Sequence, residues 1–211
     1  MRCEHCLKPR DLCLCNLIQP LATRTQILIL QHPQEPNENL GTARIAHLAL
    51  SNSSLKVGLS WPNLKRVLGN EAQASQWGVL YLGSGLKTEE AIKHPSSEIS
   101  PVLQFVTQKG APIPRPPLLE GMVILDGTWS QAKALWWRNP WLLKLKRAIL
   151  LPKAKSLYKN LRKEPRPECL STIESIAETL TALGEPPEVS DSLKGLFKNL
   201  LDKHRTRYSD P

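Results

Sequence analysis

The sequence predicts an α/β fold with a mostly parallel sheet and helices on both of its faces. Short apolar runs that resemble strands alternate with amphipathic helical segments, and this alternation is typical of parallel sheets with helical crossovers. The chain has 211 residues, of which 41% are hydrophobic, enough for one sizeable core. Four of its five cysteines lie within the first fifteen residues, which indicates a small N-terminal metal motif.

The N-terminal cysteines have the spacing C-x2-C-x6-C-x-C and are Cys3, Cys6, Cys13 and Cys15. Clustered thiols in a chain without a secretion signal are more often metal ligands than disulfides. Four thiolates close the tetrahedral shell of Zn²⁺, so the metal would be structural. A reduced, metal-free tail is the alternative. We therefore divide the chain into a zinc-binding motif at 1–20 and a catalytic domain at 21–211.

The first half of the main domain alternates strand and helix. Residues 26–30 predict a strand, and Pro33 and Pro36 place a loop after it. Residues 43–50 are apolar and predict a helix, and residues 79–82 predict a second strand that ends in a glycine-rich turn.

The second half begins irregularly. A short helix is predicted at 88–93, and the proline- and serine-rich stretch at 94–120 predicts an irregular connection. Strands are predicted at 122–125 and 148–151. The last two helices carry apolar stripes at helical spacing, and Gly184 ends the first of them.

The most informative stretch is the turn that follows the strand at 122–125. Asp126 and Gly127 end this strand, and Thr128 and Gln131 have the spacing of a capping box. Ligands of open α/β sheets bind at the carboxyl ends of the strands, so Asp126 is a candidate catalytic residue. Asp126 acting only as a helix cap, worth about 1 kcal/mol, is the alternative.

The helix after this turn is rich in tryptophan. Trp129, Trp136, Trp137 and Trp141, four of the six tryptophans, lie within thirteen residues. Aromatic side chains stack on unpaired bases, so Trp129 is a candidate contact for a nucleotide. Burial in the core is the competing interpretation, because aromatic residues dominate packing.

The charge of the chain indicates a polyanionic partner. The net charge is +9, and the window 144–168 holds nine basic and two acidic residues, which is +7 of that total. Such clustering favours nucleic acid, and a solvated basic face is the alternative. The candidates for phosphate contacts in this window are Arg162, Lys163 and Arg166.

Four motifs occur in order between residues 3 and 174. They are Cys3-x-x-Cys6 with Cys13-x-Cys15, His32-Pro33-x-Glu35 with Asn39-x-Gly41-Thr42, Asp126-Gly127-Thr128-Trp129, and Arg162-Lys163-x-Pro165 with Leu170-Ser171-Thr172-x-Glu174. Together they resemble the DTW-domain family, the tRNA-uridine aminocarboxypropyltransferases. The resemblance covers most of the chain.

This resemblance implies a SPOUT-like trefoil-knotted fold that binds S-adenosylmethionine. It implies transfer of the 3-amino-3-carboxypropyl group to N3 of a uridine in tRNA, with release of 5′-methylthioadenosine. Asp126 would take the N3 proton as general base, and His32, Glu35 and Trp129 would orient the uridine. Backbone N–H groups at helix starts and a strand end would bind the co-substrate. These cofactor-binding candidates are Leu82, Gly83, Gly127, Thr128, Trp129, Leu170, Ser171 and Thr172.

Two other functions fit the same residues. An S-adenosylmethionine-dependent RNA methyltransferase would need only a rotated methionine moiety, and a non-enzymatic zinc-dependent RNA-binding module would use the cysteines and the basic window. A zinc hydrolase or deaminase is disfavoured because four closely spaced thiolates leave no open metal position and no H-x-E motif accompanies them. The sequence has neither a signal peptide nor an apolar span. We expect a cytoplasmic protein that binds tRNA, with no obligate protein partner evident.

Overall fold

The structure is a computed structural model that describes residues 1–69, 71–80, 103–114, 118–151, 156–158 and 170–209, with side chains to residue 207. The strands in these residues are β1 (Gln26–Gln31), β2 (Ser53–Val57), β3 (Trp77–Leu80), β4 (Leu103–Val106), β5 (Gly121–Asp126) and β6 (Lys146–Leu150). The α-helices are α1 (Ala43–Ala49), α2 (Leu64–Leu68), α3 (Trp129–Arg138), α4 (Thr172–Ala182) and α5 (Pro187–Ser209). Across this described part, no helix combines the length and the apolar character needed to cross a membrane.

The strands form one sheet in the order β2-β1-β5-β3-β6-β4. Neighbouring strands are parallel except for β4, which runs antiparallel to β6. The predicted α/β fold with a mostly parallel sheet is therefore confirmed. The trefoil knot implied by the family resemblance stays a prediction.

Helices cover both faces of the sheet because the central strands are apolar on both sides. In β1, Ile27 and Ile29 join a core with residues of α1, α4 and α5. Leu28 and Leu30 point the other way and join a second core with α2 and with Trp141 after α3. Alternate strand residues face opposite sides of a sheet, so the continuous apolar run accounts for both layers.

Three elements were not predicted. The edge strand β2 is largely half-buried and has a weak apolar signal, Ser-Ser-Leu-Lys-Val, and α2 spans only five residues. The prediction of an irregular connection at 94–120 was wrong where β4 lies. This strand pairs with β6 although prolines and serines surround it in the sequence. The predicted helix at 88–93 and the turn after residue 82 lie outside the described residues.

The cysteine-bearing segment packs against the main domain. Leu12 and Leu14 are fully buried in the core formed with α1, α4 and α5. The Lys203 ammonium of α5 donates to the carbonyl oxygen of Cys13 at 2.9 Å. This segment therefore shares the core of the chain, and its boundary at residue 20 stays a prediction.

Glu185 joins the segment before α5 to the segment before β1. Its carboxylate is buried and accepts hydrogen bonds from the backbone N–H of Thr25 at 2.8 Å and of Arg24 at 3.2 Å. The Thr25 hydroxyl donates a third at 2.8 Å. Burial acts to raise the pKa of Glu185, but these donors and the Arg24 guanidinium outweigh it and lower the pKa.

We expect Glu185→Gln to lower the free energy of unfolding by about 1–3 kcal/mol at pH 7, because it weakens several buried hydrogen bonds to a charged acceptor. The folded-state pKa of Glu185 lies below the ordinary value of about 4.3. Its stabilising contribution is therefore complete above that value and is lost as the pH falls through the folded-state pKa. Denaturant unfolding at several pH values measures the difference in free energy of unfolding between the wild type and Glu185→Gln. This difference should shrink below about pH 4. Glu188→Gln, on an exposed residue of α5, is the control. An equal loss of unfolding free energy in both variants would contradict the stabilising role of Glu185.

Candidate functional site

Asp126 and Gln31 form the centre of the candidate site. They are register partners at the carboxyl ends of the adjacent parallel strands β5 and β1. The Gln31 side-chain amide donates to Asp126 Oδ2 at 2.8 Å, and the two residues are 2% and 5% exposed respectively. The carboxylate is thus buried at the strand edge where open α/β sheets bind ligands.

The start of α4 meets the same carboxylate. The Thr172 hydroxyl donates to Asp126 Oδ1. Gln31 and Thr172 thus each donate to one oxygen of this carboxylate, and together they fix the orientation of the Asp126 side chain. Sequence reasoning placed Asp126 and Thr172 in the site and missed Gln31.

Ser171 and Glu174 form the predicted capping box at the start of α4. The Ser171 N–H donates to Glu174 at 2.9 Å, and the Glu174 N–H donates to the Ser171 hydroxyl at 3.3 Å. The Ile173 N–H donates to the hydroxyl of Thr42 at 3.1 Å. Much of the first turn of α4 is therefore paired within the protein, and α4 contributes the Thr172 hydroxyl to the site.

Gly127 and Thr128 carry the chain from β5 directly into α3. Thr128 caps the helix, and its N–H donates to the Gln131 side chain at 2.6 Å, which completes the predicted capping box. A Cβ at Gly127 would lie 2.8 Å from the Cβ of Gln131. The turn is thus too close to the helix for any residue but glycine.

His32 and Glu35 lie in the loop after β1, on the same edge of the sheet. The His32 N–H donates to the backbone oxygen of Asp126 at 2.9 Å. Glu35 is buried, and its N–H donates to the His32 oxygen at 3.0 Å. The structure therefore brings this motif beside Asp126, and its contact with a uridine stays a prediction.

The other predicted site residues divide into two groups. Trp129 and Leu170 are half-buried and begin or precede the helices α3 and α4. Five lie outside the described residues. These are Leu82, Gly83, Arg162, Lys163 and Arg166.

The four N-terminal cysteines come together as predicted. Their Sγ atoms all lie within 4.8 Å of one another, with Cys3 and Cys15 at 3.7 Å and Cys6 and Cys13 at 3.6 Å. Sulfur atoms about 2.3 Å from a tetrahedral Zn²⁺ would lie about 3.8 Å apart. These residues could therefore hold a metal ion.

The environment of these thiols differs from one to the next. Hydrogen bonds from the backbone of Cys6 and His5 lower the pKa of Cys3 to about 6. Burial raises the pKa of Cys6 and of Cys15. A cation in the cluster would be needed to hold all four as thiolates.

Lys8 connects the cysteine motif to the candidate site, and sequence reasoning missed it. It is 2% exposed, and its ammonium donates to the backbone oxygen of Glu38 at 2.5 Å, in the loop that follows β1. Burial lowers the pKa of Lys8 to about 8, while the negative charges of Cys6, Asp126 and Glu38 act in the opposite direction. Arg44 adds a second connection, from its Nε to the backbone oxygen of His5 at 2.7 Å.

Comparison with models of known protein families shows which family the chain belongs to. The DTW domain model matches residues 1–205, which include the cysteines, the Asp126 turn and the start of α4. The chain belongs to the DTW domain family. No solved structure matches it significantly.

The relatives of this DTW domain include named transferases. The tRNA-uridine aminocarboxypropyltransferase 2 of Drosophila melanogaster is 31% identical over 202 residues, covering 91% of this chain and 70% of the relative. The enzyme of that name from Macaca fascicularis is 28% identical, covering 90% of this chain and 59% of the relative. The tRNA-uridine aminocarboxypropyltransferase A of Arabidopsis thaliana is 25% identical, covering 99% of this chain and 82% of the relative.

We expect Gly127→Ala to destabilise this DTW domain by about 1–3 kcal/mol, the usual cost of overpacking, because the new Cβ would collide with Gln131. The matched control is Gly195→Ala in α5, where a Cβ meets no atom within 4 Å. That change should be neutral or stabilising by up to about 1 kcal/mol, since alanine favours a helix over glycine. Thermal unfolding of both variants tests the close approach. Equal melting temperatures in the two variants would contradict it.

Proposed function

We propose that this protein transfers the 3-amino-3-carboxypropyl group of S-adenosylmethionine to N3 of a uridine in tRNA and releases 5′-methylthioadenosine. Membership of the DTW domain family carries the proposal, together with relatives named for tRNA-uridine aminocarboxypropyl transfer. The buried carboxylate at the strand edge, which RNA binding alone does not require, supports an enzyme over a passive RNA-binding module.

The reaction forms a bond between uridine N3 and the methionine Cγ and breaks the bond between Cγ and the sulfonium sulfur. The electron pair of the broken bond neutralises the sulfonium. Three carbons of a sulfonium are open to attack, so positioning decides which one reacts. The enzyme must therefore present Cγ, and not the methyl group, to the nucleophile.

Asp126 is the proposed general base. Uridine N3–H is a weak acid and a poor nucleophile until it is deprotonated, and a positioned carboxylate can take that proton. The donors from Gln31 and Thr172 fix the orientation of the Asp126 carboxylate. The same negative charge favours binding of the sulfonium cation.

The proposed co-substrate site lies around the helix starts beside Asp126. The N-terminal N–H groups of α3, which follow Thr128, suit the carboxylate of the methionine moiety. Gly127, Trp129 and Leu170–Thr172 remain the proposed neighbours of the co-substrate. His32 and Glu35 are proposed to orient the uracil from the loop after β1.

The proposed metal is a structural Zn²⁺ held by Cys3, Cys6, Cys13 and Cys15. When bound, it would supply a rigid cross-link and no open coordination position for chemistry. The cysteine-bearing N-terminal segment contacts the loop after β1 through Lys8 and contacts α5 through Cys13. We therefore assign the metal to positioning that loop.

We expect Asp126→Asn to lower turnover by about a hundredfold or more, the range of general-base losses. Asparagine has the shape of aspartate and keeps one of the two acceptor oxygens that Gln31 and Thr172 contact. The chain should therefore still fold, with a free energy of unfolding lowered by about 1–3 kcal/mol, and its tRNA affinity should stay close to normal. The measurement is the rate of 5′-methylthioadenosine release with bulk tRNA. Asp191→Asn, the same change on an exposed residue of α5, is the control and should match the wild type. A near-normal rate for Asp126→Asn would retire Asp126 as the base.

The reaction product decides between the two enzyme functions. Aminocarboxypropyl transfer adds an aminocarboxypropyl group to uridine, whereas methyl transfer adds a methyl group and leaves S-adenosylhomocysteine. Mass analysis of the nucleosides after incubation with tRNA and S-adenosylmethionine separates them.

We expect about one zinc per chain in protein purified without chelator, and loss of that zinc when Cys13 and Cys15 are both changed to serine, because serine does not replace a thiolate ligand. Elemental analysis measures both. Ser156→Ala, a hydroxyl substitution away from the cluster, should retain the metal. Wild-type protein without zinc would refute the assignment.

A further inference from the structure

One face of α3 carries alternating aromatic and basic side chains that begin beside the candidate site. Trp129, Lys133 and Trp137 are four residues apart and therefore lie along one side of the helix. The Lys133 ammonium lies 5.8 Å from the centre of the Trp129 ring. Trp129 comes three residues after Asp126, and Trp137 lies about 12 Å further along the helix axis. We call Trp129, Lys133 and Trp137 the α3 stripe.

The outer end of the α3 stripe is exposed although the helix itself is well packed. Trp137 is 78% exposed, whereas Ala132 and Leu135 on the other side of α3 are 2% and 0% exposed. Single exposed apolar side chains are common. The Trp137 indole is exposed to water one helical turn beyond Lys133, on a row that leads to the candidate site, and it is suited to covering by a flat aromatic ligand.

The charge around the α3 stripe selects the kind of ligand. Between Asp126 and Glu164 the sequence has ten lysines and arginines and no acidic residue. In the described part of that stretch, Lys133, Arg138 and Lys144 are exposed. An exposed indole among these cations fits bases and phosphates together.

We propose that the α3 stripe binds unpaired nucleotides next to the target uridine, with a base stacked on Trp137 and a phosphate contacted by Lys133. This inference rests on the proposed function, which makes tRNA the substrate. Single-stranded nucleic acid is bound elsewhere by this combination of aromatic stacking and cationic contacts, and unpaired loop bases are the usual targets of RNA-specific proteins. The α3 stripe thus extends the site from the reacting base to its neighbours.

The first test measures equilibrium binding of the full chain to bulk tRNA without S-adenosylmethionine. Trp137→Ala should weaken binding about tenfold, the usual loss for one stacked base, and Trp137→Phe should recover most of it. Leu118→Ala, which removes a 99% exposed apolar side chain outside the stripe, should bind like the wild type. Affinity for a fully paired RNA duplex should not change in Trp137→Ala, because duplex bases cannot stack on the indole.

The second test separates the phosphate contact from the stacking contact. Lys133→Ala should reduce the slope of log affinity against log salt by about 0.7–0.9, the value for one lost phosphate contact, whereas Trp137→Ala should leave the slope unchanged. Lys198→Ala, the same change on an exposed residue of α5, is the control for charge.

The outcomes distinguish this inference from the proposed function. If the wild-type protein binds and modifies tRNA, and Trp137→Ala binds tRNA equally well, the role of the α3 stripe is overturned and the proposed function stands. A change in oligomeric state with unchanged tRNA affinity would assign Trp137 to a protein contact and also overturn it. A wild-type protein that neither binds nor modifies tRNA would overturn both.

Discussion

The Asp126 carboxylate is the point at which three separate parts of the chain are joined. Burying a carboxylate is costly unless hydrogen-bond donors surround it. Here the donors are Gln31 at the end of β1 and Thr172 at the start of α4. The strand register, the turn at Gly127 and the approach of α4 are therefore mutually dependent. The proposed base is held by the contacts that build this edge of the sheet.

The cysteine motif extends this constraint to the loop after β1. Lys8 and Arg44 connect that loop and α1 to the motif through backbone oxygens of Glu38 and His5. A segment this short has little core of its own, and a metal cross-link would stiffen it. The cysteine motif can thus influence the position of the loop beside Asp126 through these hydrogen bonds, without a role in the chemistry.

The two sides of the candidate site are suited to different ligands. The helix starts and the Asp126 carboxylate lie together at the strand edge and suit a small zwitterion that carries a positive sulfur. The α3 stripe leads away from that edge with exposed aromatic and basic groups, which suit a flexible polyanion. Asp126 lies where these two sides meet, which is why it is the proposed base.

The sequence alone determined the features that depend on near neighbours. The capping boxes of Thr128 with Gln131 and of Ser171 with Glu174 were predicted and are present, because each joins residues three positions apart. The apolar runs of β1 and β5 were also predicted, since burial on both faces requires them.

Only the tertiary structure decided which distant residues share a contact. Gln31 reaches Asp126 across 95 positions and Lys8 reaches Glu38 across 30, and no local pattern encodes those pairings. The edge strand β2 and the short β4 also escaped prediction, because their pairing with neighbours, more than their own composition, makes them strands. The sequence thus contained the reactive groups, while strand register and helix packing selected the partners that surround them.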